Sequence, residues 1–268
     1  MTETRVMTSH GQISATQTAG AGTPVLLIHG NSACKEVFRN QLQGNIGRAF
    51  NCIAMDLPGH GQSENARDPQ CTYTMGGYAD CALQVMAALG VDSFVVVGWS
   101  LGGHIGIEML ARSDRPRGLL ISGTPPVSNN PADMALAFLP SEHMGLTGQE
   151  VFTDEEAEAY ARAACARYEA FLGDAARRTD GRARRIMMET AIRGEGADQR
   201  RQVETDPRPL AIVNGVNEPL VNNSYLKTIA YKNLCENKNH LIPDTGHAPF
   251  WDAPADFDVY LERFMRSC

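Results

Sequence analysis

Short apolar runs recur at residues 25–28, 52–55, 94–97, 119–121 and 210–213, each closely followed by Gly, Asp or Ser. Runs of this length without polar alternation predict strands buried on both faces, as in a parallel sheet covered by helices. Residues 78–89 carry apolar side chains at three- and four-residue steps and stop at Gly90, which predicts a helix. A second such pattern follows Pro254 through Phe257, Leu261 and Phe264 and predicts a closing helix. Residues 11–18 alternate weakly and predict an antiparallel edge strand. Together these elements predict an α/β fold with a mostly parallel sheet flanked by helices.

The strand rhythm breaks between Pro125-Pro126 and Pro207-Arg208-Pro209. The intervening stretch is Ala-rich at 157–166 and helix-compatible at 182–192. It predicts a helical lid, residues 127–206, inserted into a core made of residues 1–126 and 207–268. No internal repeat or low-complexity tract interrupts this plan.

A chain of 268 residues fits one large domain carrying an insertion. With 43% apolar and 21% charged residues it is globular rather than disordered. No apolar run reaches the roughly 18 residues of a membrane span, and none follows Met1–Arg5, so neither a span nor a signal peptide is expected. The net charge of −7 argues against nucleic acid or an anionic membrane as partner. Eight arginines between Arg177 and Arg201 are expected on solvated helical faces. The seven cysteines are odd in number and include no C-x-x-C pair, which predicts reduced thiols and a cytoplasmic protein. The histidines show no zinc-binding spacing, so no metal is expected.

The sharpest chemical signal is Gly98-Trp99-Ser100-Leu101-Gly102, between a predicted strand and a predicted helix. Glycines allow the tight strand-to-helix turn that projects a serine nucleophile. A serine hydroxyl needs a base, and in the fold that carries this turn the order is serine, acid, histidine. His247, in Asp244-Thr245-Gly246-His247-Ala248-Pro249 just before the last helix, is the candidate base. His240 lies in a strand-like segment and reads as structural, while His104 is expected to pack against the sheet. Glu218 is the single carboxylate in the loop after residues 210–213 and leads as the acid; Asp244 is its rival. An oxyanion hole needs two backbone amides, and those of Asn31 and Leu101 are the candidates. His29 and His60 are expected to hold loops.

The order His29-Gly30, Asp56-Leu57-Pro58-Gly59-His60-Gly61, Gly98-Trp99-Ser100-Leu101-Gly102-Gly103 and Gly246-His247 resembles the α/β-hydrolase superfamily from end to end. A narrower resemblance rests on His29-Gly30-Asn31-Ser32, the stretch from Gly98 to Met109, Gly123-Thr124-Pro125-Pro126, the stretch from Asp180 to Met187, and Gly246-His247-Ala248-Pro249-Phe250. These look like the AidH-type N-acyl-homoserine lactonases, metal-independent α/β-hydrolases that open the lactone ring of quorum-sensing signals. The resemblance implies a Ser100–His247–Glu218 triad, with Glu218 replacing the Asp of most of the superfamily. It also implies a lid tyrosine that hydrogen-bonds the bound lactone, for which Tyr160 is the candidate. No cofactor is implied, and the implied partner is a small acyl lactone. Met134, Leu136, Phe138, Leu139, Met144 and Leu146 are expected either to line a tunnel for its acyl tail or to form plain lid core.

Two other readings remain open from the residues. One is a different serine hydrolase of the same fold, namely a carboxylesterase, a carbon–carbon bond hydrolase or a perhydrolase. The other is a non-catalytic signal receptor, against which a complete set of triad residues argues. Acyl-chain preference and oligomeric state, a monomer included, are not fixed by these motifs.

Overall fold

The computed structural model describes residues 1–268 and is built on one eight-stranded sheet. In chain order the strands are β1 (Thr2–Thr8), β2 (Gly11–Gln17), β3 (Gly22–Ile28), β4 (Phe50–Met55), β5 (Phe94–Trp99), β6 (Pro116–Ser122), β7 (Leu210–Gly215) and β8 (His240–Ile242). Across the sheet they run β1-β2-β4-β3-β5-β6-β7-β8. Strands β3 to β8 are mutually parallel, and the β1–β2 hairpin joins β4 antiparallel. All five apolar runs are strands, extended by up to three residues at their ends. Residues 11–17 are antiparallel as expected but not at the edge, because β1 pairs outside them. Strand β1 escaped the pattern because it faces solvent along most of its length and commits mainly Val6 and Thr8 to the interior.

Alternation along each strand divides the interior into two layers. Leu26, Ile28 and Val96 face one side, where Tyr78 and Ile105 pack from the helices Met75–Ala88 and Leu101–Arg112. Val25, Leu27 and Val95 face the other, against Phe250, Trp251 and Phe257 of the C-terminal helices Pro249–Asp252 and Pro254–Ser267. Both layers exclude water from the strands, so the runs carry no polar alternation.

Strand order reverses at β3, and Ile28 sits in register with Gly98 of β5. The loops leaving β3 and β5 therefore emerge side by side at the carboxyl edge, the position where open α/β sheets form ligand crevices. Between β6 and β7 the chain forms helices Pro131–Ala137, Asp154–Ala164, Ala170–Arg178, Gly181–Ile192 and Gln199–Thr205, with no strand. The helix Asp154–Ala164 begins with a capping box, in which Thr153 and Glu156 satisfy each other's backbone amides.

Most of the arginines between residues 177 and 201 pair with carboxylates at the surface, such as Arg177 with Asp154 and Arg185 with Glu150. Arg184 departs from the solvated-face expectation. It is 2% exposed, stacks over Phe152, and donates to the carbonyls of Gln149, Glu150 and Ala176 and to Ser32 Oγ. Helical periodicity could place it on a face but could not show that loop 149–150 folds over that face. All seven cysteines are free, and no helix is long and apolar enough to cross a membrane.

Below the sheet edge, Lys35 Nζ donates to Asp56 Oδ2 at 2.9 Å, and both side chains are buried. Asp56 also accepts the backbone amides of Lys35 and Gln62. Lys35→Met removes the cation but leaves the buried carboxylate. Because two amides remain, the loss should lie near the lower limit for breaking a buried pair, about 3 kcal/mol. It should appear as a lower denaturant midpoint with an unchanged slope.

Candidate active site

Ser100 occupies the turn between β5 and the helix Leu101–Arg112 at φ 54° and ψ −119°, a backbone region costly for a residue with a Cβ. Its neighbours hold it there. Ser100 N–H donates to Ser122 O at 2.8 Å, and Thr124 Oγ1 donates to Ser100 O at 2.8 Å. The flanking glycines are required by close approach. A Cβ on Gly98 would lie 2.3 Å from Gly102 O, and one on Gly102 would lie 2.0 Å from Ile28 O. The helix therefore begins hard against β3 and β5, with its amino-terminal amides beside Ser100.

His247 follows β8 and is anchored by Trp99, whose indole N–H donates to His247 O at 2.9 Å. Its Nδ1 lies 2.9 Å from both carboxylate oxygens of Glu218. Glu218 sits in the loop after β7 with a fully buried side chain, and its Oε1 also accepts the amides of Leu220 and Val221 at 2.9 and 3.3 Å. Burial alone would raise its pKa. The His247 charge and hydrogen bond together with the two amides outweigh that, so the carboxyl is held below its ordinary value. The residue one methylene longer than Asp reaches Nδ1 while bending back over its own loop. Asp244, the rival acid, is exposed at φ 55° and makes no hydrogen bond to His247.

Ser100 and His247 line one cavity of about 840 Å³. Asn31 and Leu101 lie on its wall. The loop after β3 runs tightly past the serine: a Cβ on Gly30 would lie 3.1 Å from Ser100 Cβ. The Asn31 backbone amide has no partner within the protein, and its side chain donates to Thr147 O at 2.9 Å. Leu101 is the first residue of its helix, where an amide has no intrahelical acceptor. Tyr160 is also on the wall, packed on Phe152. Burial raises the pKa of its phenol, opposed by Thr147, Arg184 and Asn31 beside it.

Four of the other six histidines bear on the expected roles. His29 bridges two loops, with Nδ1 donating to Gly30 O and Nε2 accepting from Leu57 N. His60 donates to Pro58 O; burial and the nearby His29 push its pKa down to about 3. His240 packs at a tilt against Tyr260, away from the cavity. His104, expected to pack against the sheet, also lines the cavity near Phe138. One helical turn places it on the same side as Ser100, and the segment that turns that side into a cavity wall lies far along the chain.

Of the apolar side chains expected on the acyl-tail path, Met134, Phe138, Leu139 and Met144 are on the wall. Leu136 is 63% exposed and Leu146 is not on the wall. Met187 and Ala191 of the helix Gly181–Ile192 also line the cavity. Their four-residue spacing marks one helical face, but it does not say whether that face meets core or cavity. No group of three or more His, Cys, Asp or Glu side chains is placed to hold a metal ion.

A strand–serine–helix turn beside a buried His–carboxylate pair defines a class, and the chain belongs to it: the model of the α/β hydrolase fold family matches residues 23–254. Within that class it is similar over its whole length to the N-acyl homoserine lactonase AidH, solved with N-butanoyl homoserine. The two are 48% identical, with 100% of this chain and 97% of that one covered and a TM-score of 0.98. A variant of that lactonase bound to N-hexanoyl homoserine lactone matches equally, at 48% identity and a TM-score of 0.98. An aryl esterase from Burkholderia cenocepacia, described as putative where it was solved, is 20% identical with a TM-score of 0.81, a likeness of fold alone. Among curated sequences, an uncharacterised Mycobacterium bovis protein is 34% identical over 38% of this chain and 28% of its own length. An AB hydrolase superfamily protein of Bacillus subtilis is 31% identical over 40% of each. The chain thus spans well under half of these curated relatives.

Gly123, at φ +62°, makes room for the His247 ring: a Cβ there would lie 2.7 Å from Cε1 and 2.8 Å from Nδ1. Gly123→Ala should displace the imidazole and lower hydrolytic turnover about 100-fold, the scale of an ångström's misplacement. Gly90→Ala is the control, because Gly90 has φ +72° but open space around it. It should lose stability in a thermal melt and keep its turnover.

Proposed function

We propose that this chain is a metal-independent serine hydrolase that opens the lactone ring of N-acyl-homoserine lactones. The observation that carries the substrate is the whole-length likeness, at 48% identity, to a lactonase solved with an acyl homoserine and, as a variant, with an acyl homoserine lactone. The pairing of His247, which shares a cavity wall with Ser100, with the buried Glu218 behind it supports the chemistry.

Ser100 Oγ attacks the lactone carbonyl carbon while His247 Nε2 takes the hydroxyl proton. Glu218 fixes Nδ1 as the protonated nitrogen, leaving Nε2 free as base, and stabilises the imidazolium that forms. The amides of Asn31 and Leu101 receive the oxyanion. Collapse of the tetrahedral intermediate breaks the ring ester bond, and His247 protonates the departing alkoxide. A water molecule, deprotonated by His247, then attacks the acyl-enzyme and releases N-acyl-homoserine and free Ser100. The Tyr160 hydroxyl hydrogen-bonds the lactone from above. Residues 127–206 act as the lid over a core of residues 1–126 and 207–268, with Met134, Phe138, Leu139 and Met144 along the acyl tail. Seven unpaired cysteines favour action in a reducing cytoplasm.

Incubation with N-hexanoyl homoserine lactone, followed by mass spectrometry, tests this reading. The product should be the lactone plus one water and should close again in acid. Free homoserine lactone and fatty acid would instead mean amide cleavage. Ser100→Ala should reduce turnover about 10⁶-fold, while EDTA should leave the wild-type rate unchanged.

The acid can be tested separately. Glu218→Gln keeps the shape but removes the charge and permits the wrong tautomer, so kcat should fall by up to about 10⁴-fold. Asp244→Asn should fall far less. The reverse order in two folded variants would reassign the acid.

A further inference from the structure

An N-acyl-homoserine lactone offers several hydrogen-bond acceptors but one donor, its amide N–H. That nitrogen is borne by the ring carbon next to the carbonyl that Ser100 would attack, so in a productive complex it lies beside Ser100. Residues four apart on a helix are neighbours, about 5–6 Å between Cβ atoms, and the residue four after Ser100 is His104.

His104 Nδ1 lies 2.7 Å from Gln199 Oε1. Since that oxygen only accepts, Nδ1 carries the proton and Nε2 presents a lone pair. Nε2 has no partner in the protein, yet it is not among the sealed, unpaired polar atoms of the interior. The ring lines the cavity, which is where Nε2 meets space. Gln199, itself buried, stands at the start of the helix Gln199–Thr205, whose first turn is capped by Asp198. Burial, with His247 nearby, lowers the pKa of the imidazole, partly offset by the Gln199 hydrogen bond, so the ring stays neutral and able to accept.

We propose that His104 Nε2 accepts a hydrogen bond from the substrate's amide N–H, selecting α-acylamino lactones over lactones that lack this donor. The proposal rests on the lactonase reading above. Gln199 is then a positioning residue that fixes the tautomer.

The test compares kcat/KM for N-hexanoyl homoserine lactone with that for its ketone analogue, in which a methylene replaces the amide N–H. The analogue keeps the lactone as its sole hydrolysable ester. Wild type should prefer the amide about 5- to 10-fold, the scale of one hydrogen bond. The ratio should fall to about one in His104→Phe and toward one in Gln199→Leu. A wild-type ratio near one, or an unchanged ratio in folded His104→Phe, overturns the assignment. Should His104→Phe fail to fold, Gln199→Leu decides by the same ratio. If wild type opens neither lactone yet cleaves p-nitrophenyl esters, the lactonase reading itself falls; if it opens both and only the variant ratios fail, the fault lies with His104 alone.

Discussion

The left-handed turn at Ser100 constrains everything around it. A serine at φ 54° persists only where its surroundings over-determine it. Here β3, β5, β6 and the following helix converge so closely that a side chain at Gly98 or Gly102 would collide with backbone. That approach brings the helix amides and the loop after β3 to the same point as the serine hydroxyl. The strain is held by the sheet, whose parallel central strands are buried on both faces.

The paired His247 and Glu218 arrive from the other half of the chain. Strands β7 and β8 extend the sheet beyond β6, so their carboxyl-edge loops deliver Glu218 and His247 to the side of the turn. The carboxylate can stay charged in a buried place because an imidazole and two backbone amides surround it. The helical segment between β6 and β7 supplies much of the cavity wall that Ser100 and His247 share. It is tied to the loop after β3 by Asn31 on Thr147 O and by Arg184 on Ser32, so the segment that shapes the cavity also touches the proposed oxyanion loop. Arg184 has no carboxylate partner; three carbonyls and a ring face satisfy it instead.

Local signals settled much about this protein. Uninterrupted apolar runs marked the doubly covered strands, since burial on both faces removes alternation. The glycines around Ser100 marked the turn, since only glycine fits that approach. Chain order placed a histidine before the last helix, and a single carboxylate after residues 210–213 left few choices for the acid. Tertiary structure decided what depends on distant neighbours. Strand β1 carries no apolar run because it is an edge, and it became legible only through its pairing with β2. Which carboxylate pairs with His247 turned on direction rather than sequence distance: Asp244, three residues away, is exposed, while Glu218, far off in the chain, reaches Nδ1. His104 and Arg184 read alike as ordinary helical residues, because periodicity identifies a face but not what covers it. Only the folded chain put Gln199 and the cavity against one, and loop 149–150 over the other.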